Sequence, residues 1–232
     1  MEPTDLVRGI IITKGLFTEK LVRIKIKNLH PVETPYKPGQ YISLQISDGQ
    51  LVPYYILRYY PEINAFEIVV NIAEDKPGVN FIKSKGVGDP ISYSAPQGSL
   101  LLDENDEEIY FICEGIYASA FISFLYQIEK SPKKPHMSLF WGVKDEQELF
   151  LINTIYAFSS SMVNFSYDLF ISEGTSTTKH RPGRVVDALS KVQFESDAKM
   201  YVCGENTMIS EVTSVLKSKN IAKENIIFEK LV

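Results

Sequence analysis

Cysteine is scarce in this chain: Cys113 and Cys203 are the only two among 232 residues. Two thiols cannot build a disulfide framework, and neither belongs to a C-x-x-C pair of the kind that holds zinc. A reducing, cytoplasmic setting is the expectation. Histidine is equally sparse. His30 and His136 stand beside prolines and His180 lies in a basic loop, with no second ligand at helical spacing. They are read as surface residues rather than metal ligands or members of a catalytic triad. There is no block of Lys or Arg, and the formal net charge is -5, which argues against a nucleic-acid surface. No apolar run reaches the roughly 18 to 20 residues of a membrane-spanning helix, and the N-terminus lacks the order of a signal peptide. What is present is 44% hydrophobic residues, enough for a substantial core and suited to two domains of about 100 residues.

The patterning changes character part-way along. Residues 7–13, 21–26, 41–46, 52–59, 66–72 and 90–95 are short strand-like runs parted by turn signals such as Lys37-Pro38-Gly39, Asp48-Gly49 and Gly88-Asp89. This spacing predicts an antiparallel barrel or sandwich over residues 1–102. The acidic stretch 103–108 is read as a solvated linker and a domain boundary. Over 103–232 strands and helices alternate: strands at 109–113, 137–141, 165–171, 200–203 and 226–229, helices at 118–128, 148–158, 183–192 and 207–219. Repeated β-α units with continuous apolar strands predict a parallel sheet covered on both faces, with its ligand crevice at the strand C-termini.

Those C-termini carry Glu114-Gly115, Gly142-Val143-Lys144, Ser172-Glu173-Gly174 and Cys203-Gly204-Glu205. The last belongs to Tyr201-Val202-Cys203-Gly204-Glu205-Asn206-Thr207-Met208, where an apolar strand turns into a helix. A glycine there lets backbone approach a ligand, and a helix N-terminus favours anionic groups.

A barrel followed by such a domain and a C-G-x-x-x-M turn resembles the ferredoxin-NADP reductase family of flavoproteins. Lys37-Pro38-Gly39-Gln40-Tyr41 resembles its P-G-Q-(Y/F) strand start, and Val52-Pro53-Tyr54-Tyr55 lies where the family has R-x-Y-(S/T). Gly88-Asp89 with Ala95-Pro96-Gln97-Gly98 is similar to its barrel end. Cys113-Glu114-Gly115 stands in the slot of the nucleotide-binding glycine loop, Trp141-Gly142-Val143-Lys144 in that of Y-G-x-R, and Cys203-Gly204 with Met208 in that of C-G-x-x-x-M. The resemblance implies a flavin-binding type of antiparallel β-barrel plus an α/β parallel-sheet nucleotide-binding domain. It also implies FAD, a nicotinamide cofactor delivering hydride to it, and a separate electron acceptor such as a ferredoxin or an oxygenase component. Tyr54 would stack on the isoalloxazine, Tyr55 would stand at the flavin N5 position, and Gly78, Val79 and Asn80 would cradle the pyrophosphate by backbone. Gly115, Ile116, Gly142, Lys144, Gly204 and Met208 would border the dinucleotide. Cys203 would lie near the nicotinamide and Glu229 near the flavin.

Departures fall on the cofactor positions. Val52 replaces the pyrophosphate-binding Arg, Tyr55 a small hydroxyl residue, and Val79 or Asn80 the Ser/Thr of the pyrophosphate turn. The loop Glu114-Gly115-Ile116-Tyr117-Ala118-Ser119-Ala120 keeps one glycine, and the Glu114 carboxylate is repulsive to phosphate unless it points away. Ser172-Glu173 stands where NADP-using members carry Ser-Arg, which favours NADH, although Lys179, Arg181 and Arg184 lie nearby. Arg58, four residues beyond Tyr54 and so expected on the same strand face, is a candidate replacement for the missing cation, and Pro53 and Ile56 of that strand are expected to border the cofactor. Two functions follow: an FAD-dependent NAD(P)H oxidoreductase, or a binding or regulatory protein on the same fold that has lost nicotinamide chemistry and with it, in one variant, the flavin.

Overall fold

The structure is a computed structural model, and it describes residues 6–31, 36–103, 105–173 and 180–231. These form two compact units, one running to Leu101 and including Leu231, the other Leu102–Lys230.

In the first unit β1 (Val7–Leu16), β2 (Leu21–Asn28), β3 (Tyr41–Ser47), β4 (Gln50–Tyr60), β5 (Ala65–Asn71) and β6 (Pro90–Tyr93) close into an antiparallel barrel of order β1-β2-β5-β4-β3-β6. Alternation decides which side chains enter it. In β2 Val22, Ile24 and Ile26 are core while Arg23, Lys25 and Lys27 face outward. Helix α1 (Pro77–Ser84) adds Val79 and Ile82 to the same core, each stabilising by about 1.5–3 kcal/mol on full burial. Its last carbonyls are held from β1, where Lys14 Nζ donates to Ile82 O at 2.7 Å.

The β4 strand departs from simple alternation. Ile56 pairs with Ile68, but Arg58 pairs with Glu67, so Leu57 is the extra residue of a bulge. Tyr54 and Ile56 point into the barrel, and beyond the bulge Tyr59 takes the inward position. Arg58 therefore lies on the face opposite to Tyr54, its guanidinium 5.0 Å from the Tyr60 ring centre. The expectation that Arg58 shares a face with Tyr54 is wrong because counting by twos does not see the inserted residue. Beside it Glu67 is only 4% exposed, held by Tyr60 Oη at 2.6 Å and by Lys25 and Arg23 at 3.6 and 3.7 Å.

The second unit has β7 (Glu108–Glu114), α2 (Ala118–Lys130), β8 (His136–Val143), α3 (Ile152–Ser161), β9 (Phe165–Ile171), β10 (Arg181–Pro182), α4 (Val185–Leu189), β11 (Lys199–Cys203), α5 (Asn206–Ser218) and β12 (Ile226–Phe228). All six strands are parallel, in the order β10-β9-β8-β7-β11-β12. On one face Phe121 and Phe124 of α2 stack against Phe111 and Tyr201. On the other α4 and α5 cover Ile112, Phe140 and Val202 with Val185, Met208, Ile209 and Val212.

Three further expectations are corrected. The helix expected from 148 begins at Ile152, because Leu149, Phe150 and Leu151 are a buried apolar turn rather than its first turn. The acidic run is not simply a solvated linker: Asp106 is 7% exposed and accepts the Tyr201 hydroxyl at 2.6 Å, while the Asp103 N–H donates to the same oxygen at 3.1 Å. Burial raises the Asp106 carboxyl above its ordinary value, against the opposing effect of that hydrogen bond. His180 is not a surface residue either, since its side chain is 9% exposed with Nδ1 3.4 Å from Glu146.

Candidate functional site

In the barrel unit the candidate residues meet where β4 starts and α1 begins. Pro77 opens the helix at its first turn, where its missing N–H is no loss, and the amides of Gly78 and Val79 lie in the turn whose N–H groups have no intrahelical partner. Gly78 is required by space: a Cβ there would stand 2.6 Å from Tyr54 Oη and 3.0 Å from a Val52 methyl. Helix N-terminus, Tyr54 hydroxyl and Val52 are thus one corner. Tyr54 is 7% exposed and burial pushes its hydroxyl up to about 12, so it is a neutral donor there. Its ring is packed in the barrel core, and a stacking role requires one face to be uncovered. Tyr55 is 6% exposed and meets Tyr41 edge-on at 6.0 Å. Pro53 lies between Val52 and Tyr54 in β4 opposite Ser43. Val79 points into the core, and Asn80 is exposed with Nδ2 donating to Asp75 at 2.7 Å. The corner supplies anion-binding amides without a cation on Val52, and Arg58 is not brought to it.

In the sheet unit the site is topological. The chain leaves β7 into α2 on one face, whereas β11, paired beside β7, leads into α5 on the other. Between those strand ends helices diverge, which is where open α/β sheets take ligands. Cys113 and Cys203 are register partners at this point, both fully buried. Burial, then the neighbouring Cys203, raises the Cys113 thiol. After β7 the chain turns through Gly115 at φ +51, a conformation suited to glycine. Trp141 of β8 fixes that turn, its indole N–H donating to Gly115 O at 3.0 Å. Ile116 follows within the same short turn. In the first turn of α2 the Ser119 hydroxyl is buried with no hydrogen-bond partner among the described residues. Gly204 is buried against Met208, whose sulfur is 2.8 Å from the place a Cβ would take.

Charge surrounds this point. Glu114 is aligned with Gly142, and a Cβ on Gly142 would lie 3.4 Å from Glu114 Cγ and 3.2 Å from Val185. Burial raises the Glu114 carboxyl, Arg184 opposing and Glu211 and Glu205 reinforcing. Arg184, immediately before α4, is ion-paired to Glu211 of α5, and Arg181 to Asp168 at 2.7 Å. Lys179 and Gly174 lie outside the described residues. Ser172 and Glu173 are exposed beyond β9, tied by backbone to Val143 and Lys144, and Lys144 is exposed. Glu229 follows β12 directly. Among the described residues no group of His, Cys, Asp or Glu is placed to hold a metal ion, and no helix is long and apolar enough to cross a membrane.

Residues 111–214 match the family model described as the Oxidoreductase NAD-binding domain. The anthranilate 1,2-dioxygenase electron transfer component of Acinetobacter baylyi is 29% identical over 204 residues, covering 87% of this chain and 60% of that protein. The chain is thus similar to electron-transfer reductase components in sequence and, over residues 111–214, to an oxidoreductase NAD-binding domain. Another relative is the toluate 1,2-dioxygenase electron transfer component of Pseudomonas putida, 22% identical over 92% of this chain and 64% of that protein. The chain spans between three-fifths and two-thirds of the length of these relatives. A ferredoxin NADP+ reductase from Neisseria gonorrhoeae, solved with bound FAD and NADP, shares the fold at a TM-score of 0.86 and 18% identity, covering 98% of this chain and 99% of that one. Sequence reasoning missed the buried Ser119 hydroxyl, Trp141 as the anchor of Gly115, and the Arg184–Glu211 pair. A hydroxyl in the first turn of a helix and an indole two residues before a strand end were visible signals; the ion pair joins elements far apart in the chain and had none.

Proposed function

We propose that the chain is the flavin- and nicotinamide-binding part of an NAD(P)H oxidoreductase that passes electrons to a separate acceptor, a ferredoxin or an oxygenase component. The observation that supports this most is the divergence of α2 and α5 at Cys113 and Cys203, inside the segment matching an oxidoreductase NAD-binding domain. In this reading FAD is the group that can accept a hydride and release electrons singly. The Gly78 and Val79 amides and the Tyr54 hydroxyl donate to its pyrophosphate, and Tyr55 borders its ring. Gly115 and Ile116 bring backbone to the nicotinamide nucleotide, the unsatisfied Ser119 hydroxyl donates to its phosphates, and Gly142, Gly204 and Met208 shape the floor beneath it. Cys203, buried beside Cys113, faces the nicotinamide side. Glu173 accepts from a ribose diol next to Ser172, which favours NADH over NADPH, with Lys144 as the exposed cation nearby.

The test is optical. Protein as purified, or after addition of FAD, should show flavin absorbance that bleaches anaerobically with NADH; colourless protein that takes up neither FAD nor FMN would refute the reading. A second reading, a binding or regulatory protein without nicotinamide chemistry, draws support from Val52, which puts methyl groups rather than a guanidinium against Gly78.

A further inference from the structure

Glu114 is the last residue of β7, the strand from which the sheet's crevice opens, and it immediately precedes the left-handed Gly115. Its side chain is half-buried. It lies over Gly142, which has no side chain to displace it, and beside Val185, on the sheet face covered by α4 and α5. There it meets the charges of every neighbouring element: Arg184 before α4, Glu211 and Glu205 of α5 and its start, and Lys144 beyond β8. Arg184 also faces Asp187 within α4. The arrangement gives one guanidinium three carboxylates to serve, of which Glu211 already holds it directly.

Arg184, 46% exposed and ion-paired to Glu211, is a cation that acts on Glu114 and could attract a phosphate at this crevice. With Glu114 ionised, an incoming diphosphate must compete with Glu114 and Glu211 for that guanidinium and also approach a fixed negative charge. With Glu114 neutral the repulsion is gone and the carboxyl becomes a hydrogen-bond donor to phosphate oxygen.

We infer that Glu114 is a charge gate on the nucleotide site, admitting a dinucleotide diphosphate readily when its carboxyl is protonated and opposing it when ionised. The inference rests on the reading of this crevice as a nicotinamide-nucleotide site. By linkage, an anion that binds better to the protonated form raises the carboxyl's affinity for its proton, so nucleotide affinity falls as pH rises through the titration of Glu114. Burial displaces that titration upward.

The probe is NAD⁺ itself, titrated calorimetrically into the full chain at pH 4.5, 5.5, 6.5 and 7.5 at constant ionic strength. Wild-type affinity should weaken as pH rises through the Glu114 titration, by up to about tenfold, the equivalent of one pK unit of coupling. Glu114→Gln, the same shape without the charge, should bind at pH 7.5 as tightly as wild type does at the lowest pH and show a flat profile. Glu114→Ala should be equally flat, and it decides the matter if the Gln variant does not give a native circular dichroism spectrum. Parallel slopes in wild type and variants would overturn the gate while leaving the nucleotide site standing. Failure of NAD⁺ to bind any of the three proteins at any pH would remove the nucleotide site, and the gate with it.

Discussion

The two candidate corners, α1 against β4 in the barrel and β7 against β11 in the sheet, keep the same parts and have changed the same kind of part. Each offers backbone: first-turn amides at Gly78 and Val79 in one, the Gly115 turn and the start of α2 in the other. Each has side-chain charge set against an anion, but by opposite means. The barrel corner sets Val52 methyls rather than a cation beside Gly78, whereas the sheet corner sets the Glu114 carboxyl beside Gly142 while the nearby Arg184 guanidinium is paired with Glu211. Backbone geometry is enforced by packing, since Gly78 and Gly142 admit no side chain without displacement. Charges at a solvent-facing edge have no such constraint. Backbone shape and side-chain charge are therefore set independently at these two corners.

The largest expected effect breaks the barrel corner's geometry. Gly78→Val should destabilise by about 3 kcal/mol through overpacking, measured by urea unfolding, and adding Tyr54→Phe should recover part of it by removing the nearest atom. Next is the buried polar pair of the sheet unit. Tyr201→Phe should cost about 2 kcal/mol, because it strips a buried carboxyl of its donor. The same pair gives a pH signature: burial holds the Asp106 proton more tightly in the folded than in the unfolded chain. That contribution is complete below the ordinary carboxylate pKa and is lost as pH rises through the elevated folded value, so Asp106→Asn should flatten the stability profile over that window. A smaller gain should come from Val52→Arg, which supplies a charge-assisted contact at the α1 N-terminus and should tighten FAD by about tenfold in a fluorescence titration. The smallest is Arg58→Ala. With the bulge placing Arg58 away from Tyr54, FAD affinity should not change, and stability should fall by only about 0.5 kcal/mol from the lost contact with Tyr60.

Both layers of the fold were legible because hydrophobic periodicity is a local signal: Val22, Ile24 and Ile26 alternate with cations, and the apolar runs of β7, β8 and β9 are separated by helical spacing. What escaped was information carried by pairing. The Leu57 bulge is invisible without β5 alongside, and it reversed the face assigned to Arg58. Asp106 was hidden in a run of acids until Tyr201, distant in sequence, claimed it. At the sheet site Glu114 was visible as an anomaly, but its partners Arg184, Glu205 and Glu211 come from elements on the far side of β8 and β9 in the chain. Only the tertiary structure could say whether that carboxylate turned away.

The pairing of β7 with β11 also bears on how the molecule is made. Cys113 and Cys203 are register partners about 90 residues apart, and everything from α2 to α4 is synthesised between them. One edge of the sheet's founding strand, apolar from Ile109 to Cys113, stays open until residues 199–203 arrive. Closing so long a loop is slow, and an exposed apolar edge invites pairing with another chain in the interval. The nascent chain is at its greatest risk of aggregation while the crevice it will use is still half built.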